Sequence, residues 1–231
     1  MLRALGAAAL LAGPGSAAAR AADANTPCRP TAEGEIGPFF VDDSAAAFNR
    51  SSIVANLDGS SPQAGVPLRL SIVVRDARKR CAPVAGSQVD IWHCNALGMY
   101  SGEGVESTTG QTWLRGYQIS DRSGMVRFST IVPGWYPGRT THIHLRVRSS
   151  YSAASSTSDG SNTTQVFFPQ DLIDALHARV APYSTRGAAS RTTNARDFVY
   201  TAQTKGTTLL ALAGGADRGY TATFAVDLPI T

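Results

Sequence analysis

Residues 133–147 read PGWYPGRTTHIHLRV, and the fold follows from how this stretch ends. His142-Ile143-His144-Leu145-Arg146-Val147 alternates polar and apolar residues, as a strand does. Successive strand side chains point to opposite faces, so His142 and His144 share one face. Their Cβ atoms then lie roughly 6.5–7 Å apart, a spacing from which two imidazoles can converge on one metal ion. Upstream, Gly134 and Tyr136-Pro137 form a turn that can swing Tyr136 toward the same point. Arg139 lies close enough to share the pocket. An H-x-H pair can also be a plain polar strand face. Here, however, two of only four histidines fall in this one motif, beside a tyrosine and an arginine, and a metal site is the stronger reading.

Working outward, the same alternation recurs at 66–74, 88–94, 114–119, 125–131 and 220–228, with a short run at 165–168 stopped by Pro169. Asp121-Arg122-Ser123-Gly124 reads as a turn between two of these strands. One segment, 171–180, has helical spacing, with Leu172, Leu176 and Val180 four apart and Gln170 or Asp171 as cap. Residues 149–164 read as a Ser/Thr-rich surface loop, and 181–197 as an irregular polar stretch. Short strands separated by turns predict an all-β chain, a β-sandwich with one short helix and long loops. The aromatic run around Phe39-Phe40 is either core packing or one wall of a pocket.

The 231 residues suit a single catalytic domain over 35–231, preceded by a leader at 22–34. The first 21 residues carry Arg3, a short apolar core and A-x-A patterns, which reads as a secretory signal peptide. The chain is therefore expected to be exported, secreted or periplasmic, with no membrane insertion after cleavage. The net charge is +4, and 19 of the 21 basic residues are arginines scattered without a run. That distribution gives no footprint for nucleic acid. Of three cysteines (Cys28, Cys81, Cys94), two can pair in an exporting context, and the spacing does not say which. His93, His177 and Trp92 read as structural.

Three stretches, QVDIWHCNALGMYSG (88–102), RGYQISDRSGMVRFSTIVPGWYPGRTTHIHLRV (115–147) and TQVFFP (164–169), together resemble the intradiol ring-cleavage dioxygenases, in particular their short, exported branch. The likeness runs from about residue 35 to 200 and keeps motif order as well as motif identity. It implies a β-sandwich and a single non-haem Fe(III) held by Tyr100, Tyr136, His142 and His144. Ferric iron is hard and Lewis acidic, which suits phenolate oxygens, and imidazoles serve as intermediate ligands. The implied partners are a small aromatic diol and O2. The implied reaction opens a catechol ring between its two hydroxylated carbons to a cis,cis-muconate type diacid. Tyr136 matches the ligand that leaves the iron and takes a substrate proton. Arg139 matches the residue that stabilises negative charge building on the ring, and Gln165 matches a pocket glutamine.

Three departures from the catechol and protocatechuate enzymes stand out. Only six positions separate Tyr136 from His142, which implies a more open pocket. No helical dimerisation segment is evident before residue 35, which leaves the oligomeric state open. Phe39-Phe40 stands where phenolic side chains are common. Two other functions compete: a non-catalytic β-sandwich module that binds aromatic or carbohydrate polymers through Trp135 and nearby aromatics, and a hydrolytic zinc site on the H-x-H. The second lacks a further His or carboxylate ligand at useful spacing.

Overall fold

The computed structural model describes residues 28–41, 45–149, 161–186 and 190–230. The expected signal peptide, the start of the leader and most of the Ser/Thr-rich stretch lie outside these residues. Among the described residues no helix is long and apolar enough to cross a membrane. In chain order the elements are β1 (Pro67–Asp76), β2 (Ala82–Pro83), β3 (Gln88–Trp92), β4 (Arg115–Ile119), β5 (Met125–Ile131), β6 (His142–Arg148), β7 (Ser161–Phe167), α1 (Gln170–Arg179), β8 (Leu212–Gly215) and β9 (Gly219–Leu228).

Two sheets face each other. In the first, β1 pairs with β9 in parallel and with β5 and β2 antiparallel, and β8 lies outside β9. The second runs β4-β3-β6-β7, all antiparallel. Leu68, Leu70, Ile72 and Val74 of β1 join Val126 and Phe128 of β5 in a core shared with Val89, Ile91, Ile143, Leu145 and Val147 of the second sheet. This is the sandwich that the alternation predicts.

Burying Ile143, Leu145 and Val147 obliges the residues between them to face away from the core. His142 and His144 therefore stand on the outer face of the second sheet, as do Trp92 of β3 and Gln165 of β7. The register sets Arg115, Trp92, His144 and Gln165 in one cross-strand row. That face is covered from the N-terminal side. The Gly34 amide donates to the Thr163 carbonyl at 2.9 Å and Thr164 Oγ1 to the Ala32 carbonyl at 2.7 Å. The chain then crosses over the sheet, placing Phe40 edge-on to Trp92 at 5.0 Å.

Several local expectations are corrected. The surface loop read over 149–164 ends earlier, because Ser161–Thr164 already pair with Leu145–Arg148 and the β-branched threonines suit that position. The helix packs Leu172, Leu176 and Val180 against the core as their spacing predicts, and it buries Ile173 and His177 as well. Its N-cap is Pro169, with no side-chain cap. β8 lies in a Leu-Ala-Gly-Gly segment whose sequence carries no strand alternation.

Cys28 pairs with Cys81, Cα to Cα 5.5 Å, leaving Cys94 free and buried. The bond closes a loop across a separation of 53 residues. A chain-entropy account of such a loop gives about 4 kcal/mol of stabilisation. The double variant Cys28→Ser/Cys81→Ser is accordingly expected to lose stability on that order in denaturant titration.

His93 and His177 are buried, as a structural role requires. His93 Nε2 meets Thr130 Oγ1 at 2.7 Å and Nδ1 meets the Cys94 carbonyl at 2.9 Å. Burial lowers each of these histidines from 6.5 to about 4. Below pH 6.5 the unfolded chain therefore takes up protons that the folded chain refuses until about pH 4, so stability falls on acidification across that window. His93 alone contributes about 3 kcal/mol to this loss. Unfolding followed from pH 7 to 4 checks the sign, and a His93→Gln variant should flatten the slope.

Candidate metal centre

Two loops bring the tyrosines together. The first, 95–99, is a tight turn in which Asn95 Oδ1 accepts from the amides of Leu97 and Met99, both at 3.0 Å. The second, 133–136, lies directly against it, with the Gly134 amide donating to the Asn95 carbonyl at 3.0 Å. The contact is close enough that a Cβ on Gly134 would stand 2.3 Å from the Ala96 carbonyl oxygen. Gly98 adopts φ +83, and a Cβ there would stand 2.0 Å from the Trp135 carbonyl oxygen. Arg186 clamps the pair. Its Nη1 donates to the Trp135 carbonyl at 2.8 Å and also to the Leu97 carbonyl, and its guanidinium lies 4.5 Å over the Trp135 ring. Gly134→Ala has no room for its methyl without parting the loops. It is expected to cost about 1–3 kcal/mol and to lower metal occupancy, as thermal melting and metal analysis would report.

Tyr100 and Tyr136 leave these loops and meet with ring centroids 5.6 Å apart. His142 and His144 rise from β6 beside them. The His142 Nδ1–H donates to the Thr140 carbonyl at 2.6 Å, which leaves the Nε2 lone pair free. That Nε2 lies 3.1 Å from His144 Nε2 and 3.3 Å from the Tyr136 hydroxyl. The hydroxyl of Tyr100 is buried without a hydrogen-bond partner. His144 is fixed by Trp92, stacked at 4.8 Å and 6°, and by Gly37, where a Cβ would come within 2.9 Å of its ring.

These contacts answer whether the residues fit a metal. Bonds of about 2.0–2.2 Å place neighbouring ligand atoms about 3 Å apart, which is the spacing from His142 Nε2 to His144 Nε2 and to the Tyr136 hydroxyl. Without an ion, the His142 Nε2 lone pair can accept from His144 Nε2–H or the Tyr136 hydroxyl; with one, both nitrogens and the buried phenols are suitable ligands. Burial pushes His142 down to about 3 and His144 well below its usual value. Burial first, then the neighbouring Tyr136 phenol, raises Tyr100 well above the ordinary tyrosine value. Burial likewise lifts Tyr136 to about 12, against the pull of Arg139. A bound cation reverses that pressure on both phenols.

Arg139 flanks the cluster. Its Nη1 is 3.5 Å from the Tyr136 hydroxyl, and its Nη2 donates to Gln165 Oε1. Gln165 is in turn oriented by its Nε2, which donates to the Glu35 carbonyl at 2.8 Å. Phe39 stacks on Tyr100 at 4.3 Å and stands edge-on to Tyr136 at 5.5 Å, so the 35–41 run forms a wall. The structure thus assembles Tyr100, Tyr136, His142, His144, Arg139 and Gln165 in one place. Trp135, by contrast, is only 4% exposed. Trp135 itself therefore offers no face to a polymer.

One group at the site was not foreseen. Asp197, from the stretch read as irregular and polar, accepts from Arg139 Nε at 2.9 Å and from the Thr140 amide at 2.9 Å. Asn194, on the 3-10 turn just before it, accepts from Thr140 Oγ1 at 2.7 Å. Neither residue stands in a motif or a periodic pattern, and only the fold brings them under the site.

A family model described as Dioxygenase matches residues 36–175. The catechol 1,2-dioxygenase of Candida albicans is 28% identical over 137 residues, covering 51% of this chain and 42% of that protein. The aligned part thus spans less than half of that relative. The intradiol ring-cleavage dioxygenase from Tetranychus urticae superposes with a TM-score of 0.74 at 24% identity, over 88% of this chain and 97% of its own. The dioxygenase domain of a dioxygenase–carbohydrate-binding protein fusion from Streptomyces sp. SirexAA-E superposes with a TM-score of 0.60 at 28% identity, over 88% and 100%. The fold is the β-sandwich of these structures, and the family match places the chain among the dioxygenases. The chain belongs to the intradiol ring-cleavage dioxygenase family.

Proposed function

We propose that this protein is an exported Fe(III) enzyme that cleaves a catechol between its hydroxylated carbons with O2, giving a cis,cis-muconate type diacid. The observation that carries the proposal is the meeting of His142 Nε2, His144 Nε2 and the Tyr136 hydroxyl within 3.1–3.3 Å steps, beside the unpartnered hydroxyl of Tyr100. Tyr100, Tyr136, His142 and His144 would hold the ion. When bound, Fe(III) draws charge from a coordinated catecholate and so makes the ring carbons reactive toward O2.

The protein's own groups divide the remaining work. Tyr100 is fully buried, whereas Tyr136 is partly exposed. Tyr136, if a bound ion held it as the phenolate, would therefore be the one free to swing away and take a proton from the incoming diol, while Tyr100 and the two histidines stay fixed. Arg139 directs Nη1 at the place where negative charge gathers, the arrangement expected of a preorganised electrostatic stabiliser. Gln165 holds the guanidinium in that direction. Phe39 walls off one side of the pocket and excludes water from the ring.

Export is supported by the signal-like first 21 residues and by the Cys28–Cys81 bond, since disulfides persist in oxidising compartments. Oxygen uptake and diacid formation on a panel of small catechols test the activity directly. Consumption of one O2 per diol with both oxygen atoms in the diacid supports the proposal. Iron-replete protein inert toward every diol in the panel would end it.

A further inference from the structure

We infer that Asp197 is a positioning residue of the site: one buried carboxylate fixes both the direction of the Arg139 guanidinium and the residue that orients His142. The inference rests on the catechol-cleaving reading above. It adds a residue beyond the 36–175 family match and outside every motif in the sequence.

Asp197 is fully buried. A carboxylate in that position is tolerable only when its oxygens are saturated by donors. Oδ2 takes Arg139 Nε at 2.9 Å and the Thr140 amide at 2.9 Å. Oδ1 takes the Tyr200 amide at 3.0 Å and Arg139 Nη2 at 3.4 Å. Two of these donors are backbone amides on separate segments, so the carboxylate cannot turn without losing them. Arg139 therefore rests against a fixed two-oxygen face and not against a flexible counterion.

The geometry of the guanidinium fork makes this matter. With Nε and one side of Nη2 engaged by Asp197, Nη2 also reaches Gln165 and Nη1 is left facing Tyr136. Glu35 Oε1, at 3.7 Å from Nη1, is the other anion at this edge, and its side chain is about half exposed. Without Asp197 the long arginine side chain would be free to follow Glu35 toward solvent, taking its charge off the reacting centre.

The second arm runs through the backbone. Asp197 holds the Thr140 amide, Asn194 holds the Thr140 hydroxyl, and the Thr140 carbonyl receives the His142 Nδ1–H at 2.6 Å. The bond that leaves His142 Nε2 free thus depends on a residue pinned from the C-terminal segment. Partners of this kind, which act through a ligand or a stabilising charge, typically change activity by about 10- to 100-fold when lost.

The test is a cycle of Asp197→Asn, Arg139→Gln and the double variant, read by kcat, KM, iron content, visible spectrum and melting of the metal-free protein. Asp197→Asn is expected to lower kcat about 10- to 100-fold with KM within about threefold and iron content unchanged. If the carboxylate acts through Arg139, the double variant is no more than about threefold slower than Arg139→Gln alone. In the metal-free protein, Arg139→Gln should lower the melting temperature, and adding Asp197→Asn should restore part of it by removing the unpaired charge. Losses that multiply in the double variant while iron content and visible spectrum stay those of Arg139→Gln would overturn the inference, as would Asp197→Asn retaining full kcat; losses that multiply with an altered spectrum report the arm through Thr140 and His142. Should Asp197→Asn alone fail to fold, the double variant against Arg139→Gln still decides it: a kcat within about threefold supports the role, and a larger fall with iron content and spectrum unchanged refutes it. Wild-type chain that cleaves no catechol would defeat the functional reading instead. The melting cycle would still report whether Arg139 and Asp197 are coupled.

Discussion

A His144→Ala chain is expected to emerge from purification colourless, with iron content near zero and ring cleavage down by at least about a thousandfold, the equivalent of about 4 kcal/mol of barrier. The ring that would be lost is fully buried, stacked on Trp92 and standing 3.1 Å from the other imidazole. Neither Trp92 nor Gly37 can supply a ligand in its place, and Tyr100 and Tyr136 are already engaged. The folded chain should survive the change. His144 is held neutral in a buried position with Nδ1 unpartnered, so its removal relieves as well as costs. The measurable signature lies in linkage. Adding Fe(III) should raise the melting temperature of the wild type, because a ligand that binds only the folded state stabilises it. The same addition should leave His144→Ala unmoved. A variant that still binds one iron per chain and turns over would remove His144 from the metal.

Arg139→Gln is the other large effect, and it should separate metal binding from catalysis. Glutamine keeps hydrogen-bonding capacity but removes the charge whose Nη1 faces Tyr136 at 3.5 Å. Loss of one preorganised donor to a developing anion costs about 10²–10³ in kcat. The four proposed ligands are untouched, so iron content and colour should persist. Stability should fall as well, because Asp197 is left as a buried charge without its cation, a change worth about 3–5 kcal/mol. Steady-state kinetics beside metal analysis would check the first expectation and thermal melting the second. Full kcat in a variant with normal iron would show that the guanidinium plays no part in the chemistry.

Much of this was legible in the sequence because the informative residues carry their own periodicity. The alternation through His142–Val147 requires that both histidines share a face, and burial of Ile143, Leu145 and Val147 makes it the outer one. The two tyrosines were legible as residues beside turns, after Asn95–Gly98 and between Gly134 and Pro137, and Tyr100 was legible as a ligand only through the family resemblance. What escaped was held by tertiary contact alone. Asp197 and Asn194 lie in a stretch of short turns without any repeating pattern, and their partners at the site, Arg139 and Thr140, are more than 50 residues away. The early start of β7 escaped for another reason, because serine, asparagine and threonine read as loop until a neighbouring strand supplies their hydrogen bonds. The Cys28–Cys81 pair needed the turn after β1 to be placed before either partner could be named.

The proposed chemistry depends on two phenols and two imidazoles sharing one ferric ion. The visible absorption spectrum of the purified protein, taken with its iron stoichiometry, tests it most directly. One Fe(III) per chain with a burgundy phenolate-to-iron band, weakened in Tyr136→Phe and shifted when a catechol is added, is the predicted result. Colourless protein carrying a full complement of iron would contradict it.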